Sequence, residues 1–286
     1  MKNSSKFRTK RDPILVVFTE LDGALLDYET YSFAAASEAL ALLRHYEIPV
    51  VLCSSKTHAE IEHLQHDLRL RHPFISENGG AIFMPRGYFS FTPDGVRSFD
   101  GYDVIDVGAP YWQLVEALHR VSAEVGIKVV GFSDMSEDEV AEDCKFSSAQ
   151  ARLAKLREHD EPFRIPDSDP AVRSRLLAAL HKAGLNCTQG GRHYHVTGVA
   201  DKALAIRRLI SLYEQAWGNI LTVALGDSPN DLPLLQQVNI PIVVRNPDLG
   251  ASGRLLCKVP TARISNAEGP RGWNEMMLKV IEEHVT

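Results

Sequence analysis

The chain has 286 residues, 44% of them hydrophobic, with 31 Lys+Arg against 37 Asp+Glu for a formal charge of −6. That composition is ordinary for a globular protein and allows two modest domains, each able to bury a core. A net acidic chain without a long basic run excludes a nucleic-acid coat or an anionic membrane surface as the main partner, and leaves small anionic ligands open to local cations.

Residues Met1 to Asp12 hold five cations and read as a disordered arm. The apolar run that follows, Ile14 to Phe18, is too short for a signal segment or a membrane span and predicts a buried strand. A helix near Phe33–Tyr46 and a strand at Val50–Cys53 complete a βαβ unit. Helix His58–Leu70, strand Phe74–Ser76 and a Gly79-Gly80 turn continue it. His58, His63 and His66 lie on a polar helix with acids between them, which predicts a solvated face rather than a metal site.

From Pro85 to Pro110 glycine and proline punctuate the chain. Helices are then expected near Tyr111–Gly126, Ser136–Asp143, Ser147–Glu158 and Ala171–Ala183, with strands at Lys128–Gly131, Pro162–Ile165, Asn186–Gln189 and His193–Thr197. Ser136 with Glu139, and Ser147 with Gln150, form capping boxes in the sequence. Strand Ile220–Leu225, helix Asp231–Val238 and strand Ile240–Val244 resume the earlier pattern. The expected architecture is an α/β core, a doubly wound parallel sheet over residues 13–85 and 198–286, with an inserted α+β cap over 86–197. Cys53, Cys144, Cys187 and Cys257 form no CxxC pair, which points to reduced thiols in the cytoplasm rather than a disulfide frame or zinc site.

Ligands of open α/β sheets collect at the carboxyl ends of the strands. Glu20 and Asp22 leave the first strand two residues apart in Thr19-Glu-Leu-Asp-Gly-Ala24, and both can turn into that crevice. Leu225-Gly-Asp227-Ser-Pro-Asn230-Asp231 follows another apolar strand; two carboxylates four apart suit a hard cation with oxygen ligands, Mg2+ foremost, although Asn230 or Asp231 also fits a helix cap. Ser54 ends the second strand beside a helix N-terminus, where hydroxyl and backbone N–H groups receive phosphate oxygens. Lys202 opens the helix after the insertion as a point charge for a phosphoryl group.

These residues, in this order, resemble the haloacid dehalogenase (HAD) superfamily of phosphatases, with its Asp-x-Asp-Gly-Thr turn, strand-end Ser/Thr, Lys, and Gly-Asp-x-x-x-Asp. More narrowly the chain resembles the branch acting on mannosyl-3-phosphoglycerate. That likeness rests on Ser54-Ser-Lys56-Thr57, Glu77-Asn78-Gly79-Gly80, Asp160-Glu161-Pro162-Phe163, Gly190-Gly-Arg192-His193-Tyr194-His195, Asp201-Lys202 and Glu268-Gly269-Pro270 with Gly272-Trp273. The resemblance implies a HAD-like fold and Glu20 as a nucleophile forming an acyl phosphate. Asp22 is then the acid and base, and Ser54 and Lys202 stabilise the transferring oxygens. It also implies Mg2+ held by Glu20, the Leu21 carbonyl and Asp227, with Asp231 in direct or water-mediated support.

The implied substrate is a phosphorylated sugar-glycerate, mannosyl- or glucosyl-3-phosphoglycerate, and its product a compatible solute. Its phosphate, carboxylate and hydroxyls point to Lys56, Asn78, Arg192 and His195 as binding residues, with Arg192 suited to clamp a carboxylate. Tyr194 stands either beside this group or in the core of the cap sheet. Glu20 stands where the family has Asp, and Ala24 where it has Thr. Two alternatives follow: a sugar-phosphate-binding protein with impaired catalysis, or a phosphatase of another sugar phosphate. The sequence leaves the oligomeric state open.

Overall fold

The computed structural model describes residues 13–285 except 168, 191, 192 and 199–201. The arm expected over residues 1–12 lies outside the described residues, as does Arg192.

Strand β1 (Ile14–Thr19) is β-branched and aromatic, and it is buried on both faces: Leu15 and Val17 pack into one apolar layer, Val16 and Phe18 into the other. Helix α1 (Ser37–His45), β2 (Val50–Cys53), α2 (His58–Leu68) and β3 (Phe74–Ser76) follow. Helix α2 starts on a full capping box between Thr57 and Glu60, which satisfies two N–H groups that a helix start leaves open. After β3 the chain reverses through Glu77, Asn78 and Gly79, all at positive φ. It returns as β4 (Ala81–Pro85), then β5 (Arg97–Phe99) and β6 (Tyr102–Asp106).

The insertion contains α3 (Tyr111–Val125), β7 (Val130–Gly131), α4 (Glu137–Cys144), α5 (Ser148–Ala154), β8 (Glu161–Arg164), α6 (Pro170–Lys182), β9 (Asn186–Gly190) and β10 (His193–Thr197). The chain re-enters the core with α7 (Lys202–Trp217), β11 (Ile220–Gly226), α8 (Leu232–Leu235), β12 (Ile240–Arg245), α9 (Leu249–Lys258), β13 (Arg263–Glu268) and α10 (Gly269–His284).

The large sheet has nine strands in the order β13-β12-β11-β1-β2-β3-β4-β6-β5. Pairing is parallel from β13 to β3 and antiparallel from β3 to β5. Trp273, Met277 and Leu40 belong to the apolar layer on one face, Leu209 and Tyr213 to that on the other, as a parallel sheet requires. Because β1 lies between β11 and β2, the chain order reverses beside it, and a crevice opens at the carboxyl ends of β1 and β11.

The second sheet, β7-β8-β10-β9, is antiparallel. Its two-residue alternation sends Tyr194 and Val196 toward an apolar core with Leu114, Phe163 and Leu180, leaving His193 and His195 on the opposite face. Both expected capping boxes are present, at Ser136 and Ser147.

Three expectations are corrected here. Residues 97–106 form a hairpin that pairs with β4, so the core sheet runs on to Asp106 and the insertion starts after it, not at residue 86. Asp100-Gly101, both at positive φ, make the tight turn, a pairing that favours two-residue hairpins. Helix α5 stops at Ala154 rather than Glu158, because Arg157 Nε donates to the Ala154 carbonyl at 2.8 Å and caps the helix end. His58 is not on a solvated face: it stacks on Phe83 and pairs with Glu158 at 2.9 Å, whereas His63 and His66 are exposed.

Candidate active site

Glu20 is the first residue beyond β1, buried, with its N–H donating to the Leu225 carbonyl of β11 at 2.9 Å. The ladder that makes β1 central therefore carries the Glu20 backbone to the crevice. On the opposite side of the sheet, Trp273 Nε1 donates to Thr19 Oγ1 at 2.9 Å, and that hydroxyl donates to the Glu20 carbonyl at 2.8 Å. Glu20 Oε1 accepts the Leu21 N–H at 2.9 Å, and Oε2 pairs with the ammonium of Lys202. Lys202, at the start of α7 and buried, also donates to Asp231 Oδ1 at 3.0 Å.

Asp231 is fully buried, and its second oxygen accepts the N–H groups of Asp227 at 3.1 Å and Ser228 at 3.2 Å. These bonds fold the loop after β11 so that Asp227 faces β1. Asp227 Oδ2 accepts from Asn246 Nδ2 at 2.5 Å, whereas its buried Oδ1 has no partner among the described residues. Gly23 allows this approach. It sits at φ +80, and a Cβ there would lie 2.5 Å from Asp227 Oδ2, so both its backbone angle and the contact exclude a side chain.

Glu20 and Asp231 thus share the ammonium of Lys202, and the third buried carboxylate, Asp227, makes no ion pair with it among the described residues. Burial pushes the Glu20 carboxyl up to about 8, with Lys202 opposing and Asp231 adding to the rise. Asp227 is raised well above the carboxylate range by burial, then by Asp231 and Glu20. Unpaired buried charge costs several kcal/mol, and a divalent cation against oxygen ligands reverses that balance. The orphaned Asp227 Oδ1 and the all-oxygen donor set fit Mg2+.

The remaining residues fall into two groups. Asp22 Oδ2 pairs with Lys56 Nζ at 2.9 Å, and Asp22 Oδ1 is buried without a partner among the described residues. Burial would lower the Lys56 ammonium, but Asp22 and Glu60 hold it above its ordinary range. Ser54 is buried and accepts the Lys56 N–H at 3.3 Å. Farther along the junction, Asn78 and His195 meet at Asp160.

Other expectations change. The Leu21 carbonyl accepts the N–H groups of Ala24 at 3.2 Å and Leu26 at 2.8 Å, so the turn itself occupies the oxygen expected to bind metal. Ala24 is fully buried in the apolar layer, where a hydroxyl would need its own partner. Tyr194 packs in the cap core beside Phe163, with ring centroids 5.7 Å apart. Two further clusters, Asp106/Glu158/His159 and Asp143/Cys144/His193, are joined by arginines: Arg97 bridges Asp106 and Glu158, and Arg164 pairs with Asp143.

Sequence reasoning missed Asn246, Arg157 and the role of Glu77. Asn246 follows β12 directly, and the strand-end rule applied to a third strand would have found it. The buried Arg157 guanidinium donates from the cap to the Ser55 carbonyl at 2.7 Å. The buried Glu77 accepts the N–H groups of Glu158 and His159, the latter at 2.7 Å. Both act through chain segments some eighty to a hundred residues away, so no local pattern announces them.

A haloacid dehalogenase-like hydrolase family model matches residues 17–90. A glucosyl-3-phosphoglycerate/mannosyl-3-phosphoglycerate phosphatase of Methanococcoides burtonii is 42% identical over 268 residues, covering 93% of this chain and 97% of the relative. A protein of the same name from Persephonella marina is 35% identical, over 94% of this chain and 98% of its own. Among solved structures, a Bacteroides thetaiotaomicron phosphatase of the HAD superfamily superposes with a TM-score of 0.65 at 16% identity, covering 99% of both chains. With its site at the carboxyl ends of β1 and β11 and relatives this similar along nearly their whole length, the chain belongs to the haloacid dehalogenase-like hydrolases.

Proposed function

We propose that this protein is a Mg2+-dependent phosphomonoesterase acting on mannosyl- or glucosyl-3-phosphoglycerate, releasing phosphate and the glycosylglycerate, a compatible solute. The observation that carries this reading is a strand-end crevice in which buried Glu20 and Asp231 hold Lys202 and buried Asp227 lies against Gly23 of the same turn as Glu20, in a chain whose relatives bear that name.

A Glu20 oxygen attacks phosphorus as the ester P–O bond breaks, and Asp22 gives its proton to the departing glycerate oxygen. Asp22 then takes a proton from water, which attacks the acyl phosphate; phosphate leaves and the Glu20 carboxylate is restored. Lys202, Ser54 and the local N–H groups stabilise the phosphoryl oxygens. Lys56, beside Asp22, receives either the phosphate or the glycerate carboxylate, and Arg192 clamps that carboxylate. Glu20, Asp227 and the carbonyl of Asp22 would hold Mg2+, which neutralises phosphate charge when bound. Gly23 lies against Asp227 and the Leu21 carbonyl is taken by its own turn, which favours the neighbouring Asp22 carbonyl over that of Leu21. Asp231 serves by holding Lys202 and the loop.

Glu20 has both oxygens engaged, one by Lys202 and one by a backbone N–H, and that favours a second reading: binding of a sugar phosphate without turnover. Phosphate release from mannosyl-3-phosphoglycerate, with Mg2+ or EDTA, separates the two. Turnover by the unmodified chain that stops in EDTA and in Glu20→Gln supports the phosphatase. Turnover only in Glu20→Asp supports the binding protein, and none in either rejects this substrate. Among the described residues no helix is long and apolar enough to cross a membrane, and the four cysteines form no disulfide; the thiol usage supports a cytoplasmic location.

A further inference from the structure

Asp160, just before β8 in the cap, is fully buried and joins the two domains. Its Oδ2 accepts from Asn78 Nδ2 of the core at 2.7 Å, and both its oxygens lie 3.0 Å from His195 Nδ1 on β10. Asn78 is itself fixed: it sits at φ +56, and its N–H donates to the Ser54 carbonyl at 3.0 Å. Burial alone would raise the Asp160 carboxyl, but His195, Arg157 and Asn78 hold it below its ordinary value. A carboxylate only accepts hydrogen bonds, so Nδ1 of His195 carries the hydrogen.

The other ring nitrogen has no partner among the described residues. His195 Nε2 is turned to Gly190, where a Cβ would stand 3.3 Å from it and 3.9 Å from Asn230 Nδ2. Asn230 belongs to the loop that carries Asp227 and Asp231. Nε2, which bears a lone pair in the neutral ring, therefore faces the junction between the cap and the metal-side loop. Gly190 keeps this space open.

We propose that Asp160 is a positioning residue: it fixes His195 as the Nδ1–H tautomer, so that Nε2 accepts a hydroxyl of the substrate's glycosyl group and selects glycosylated over bare phosphoglycerate. The substrate assignment rests on the function proposed above. In Asp160→Asn the amide can donate where the carboxylate accepted, and His195 then takes the Nε2–H tautomer, which has lost its lone pair toward the hydroxyl.

Long-range 1H–15N correlation spectra of the full chain read the tautomer directly, with His195 assigned by its loss in His195→Gln. The wild type should show Nδ1–H, and its Nε2 resonance should move on adding mannosyl-3-phosphoglycerate in EDTA; Asp160→Asn should show Nε2–H. With Mg2+, the ratio of kcat/KM for mannosyl-3-phosphoglycerate to that for 3-phosphoglycerate should fall about tenfold in Asp160→Asn. An Nε2–H tautomer in the wild type overturns the proposal even if the variant fails to fold, as does an Nε2 resonance unmoved by the ligand or an equal loss on both substrates. A wild type that moves Nε2 but releases no phosphate overturns the phosphatase reading alone.

Discussion

Gly23 connects two halves of the site that are far apart in sequence. Its φ of +80 suits glycine, and the missing Cβ lets Asp227 approach the turn that carries Glu20 and Asp22. In Gly23→Ala the turn and the Asp227 loop must separate by several tenths of an ångström. Displacing reacting groups by about 1 Å costs on the order of a hundredfold in rate, whereas left-handed strain costs only about 1–3 kcal/mol. We expect kcat to fall at least tenfold, with Mg2+ affinity by calorimetry falling in parallel and a melting temperature lowered by only a few degrees. Unchanged Mg2+ affinity would mean that Asp227 does not depend on this contact. Glu20 stands in the same turn, and its oxygens reach Lys202 and the Leu21 N–H without any break in the β1 ladder.

At the scale of elements, the turn between β3 and β4 holds the segment that leads into β8. Glu77 reaches across with its carboxylate to the N–H groups of Glu158 and His159, and burial pushes it up to about 7 despite Arg157 and these donors. A group whose folded value lies above its unfolded value near 4.5 binds more protons in the folded protein. Its stabilising contribution is complete below about pH 4.5 and is lost as pH rises through 7. Glu77→Gln cannot titrate. Thermal melts of both proteins from pH 4.5 to 8 should therefore show the wild type losing stability relative to the variant, by on the order of 3 kcal/mol across the window. A constant difference at all pH values would show that Glu77 stays ionised in its docked position. Arg157, Glu77 and Thr57, whose hydroxyl donates to the Leu153 carbonyl at 2.9 Å, all join cap to core through backbone groups, a mode of docking that residue patterning alone does not display.

Across the whole molecule, residues near the two ends of the described chain are joined at the site. Trp273 is fully buried on α10, and its indole N–H reaches Thr19 across 254 positions of sequence. Trp273→Phe keeps most of the apolar area and removes that donor, leaving the Thr19 hydroxyl one bond short. The expected loss is about 1 kcal/mol of stability, measured by urea denaturation, together with a several-fold fall in kcat and little change in KM, because the Glu20 backbone moves while the cap does not. A rise in KM with kcat unchanged would place the effect in substrate binding instead.

Much of this was legible from local pattern. The run Ile14 to Phe18 specifies a strand buried on both faces because every side chain is apolar, and such strands belong in parallel sheets covered by helices. Strand ends followed by acids located Glu20, Asp22 and Asp227, since the crevice position follows from chain direction. Capping boxes at Ser136 and Ser147 are read within four residues. What the tertiary structure decided depends on long-range neighbours. The hairpin of residues 97–106 joined the core because β4 offered a free edge. Lys56 met Asp22, His58 met Glu158, and the Leu21 carbonyl was taken by its own turn. A sequence states which groups can donate, accept or carry charge; which partner each one finds depends on a fold that brings residues 20, 202 and 231 to one crevice and residues 78, 160 and 195 to another contact.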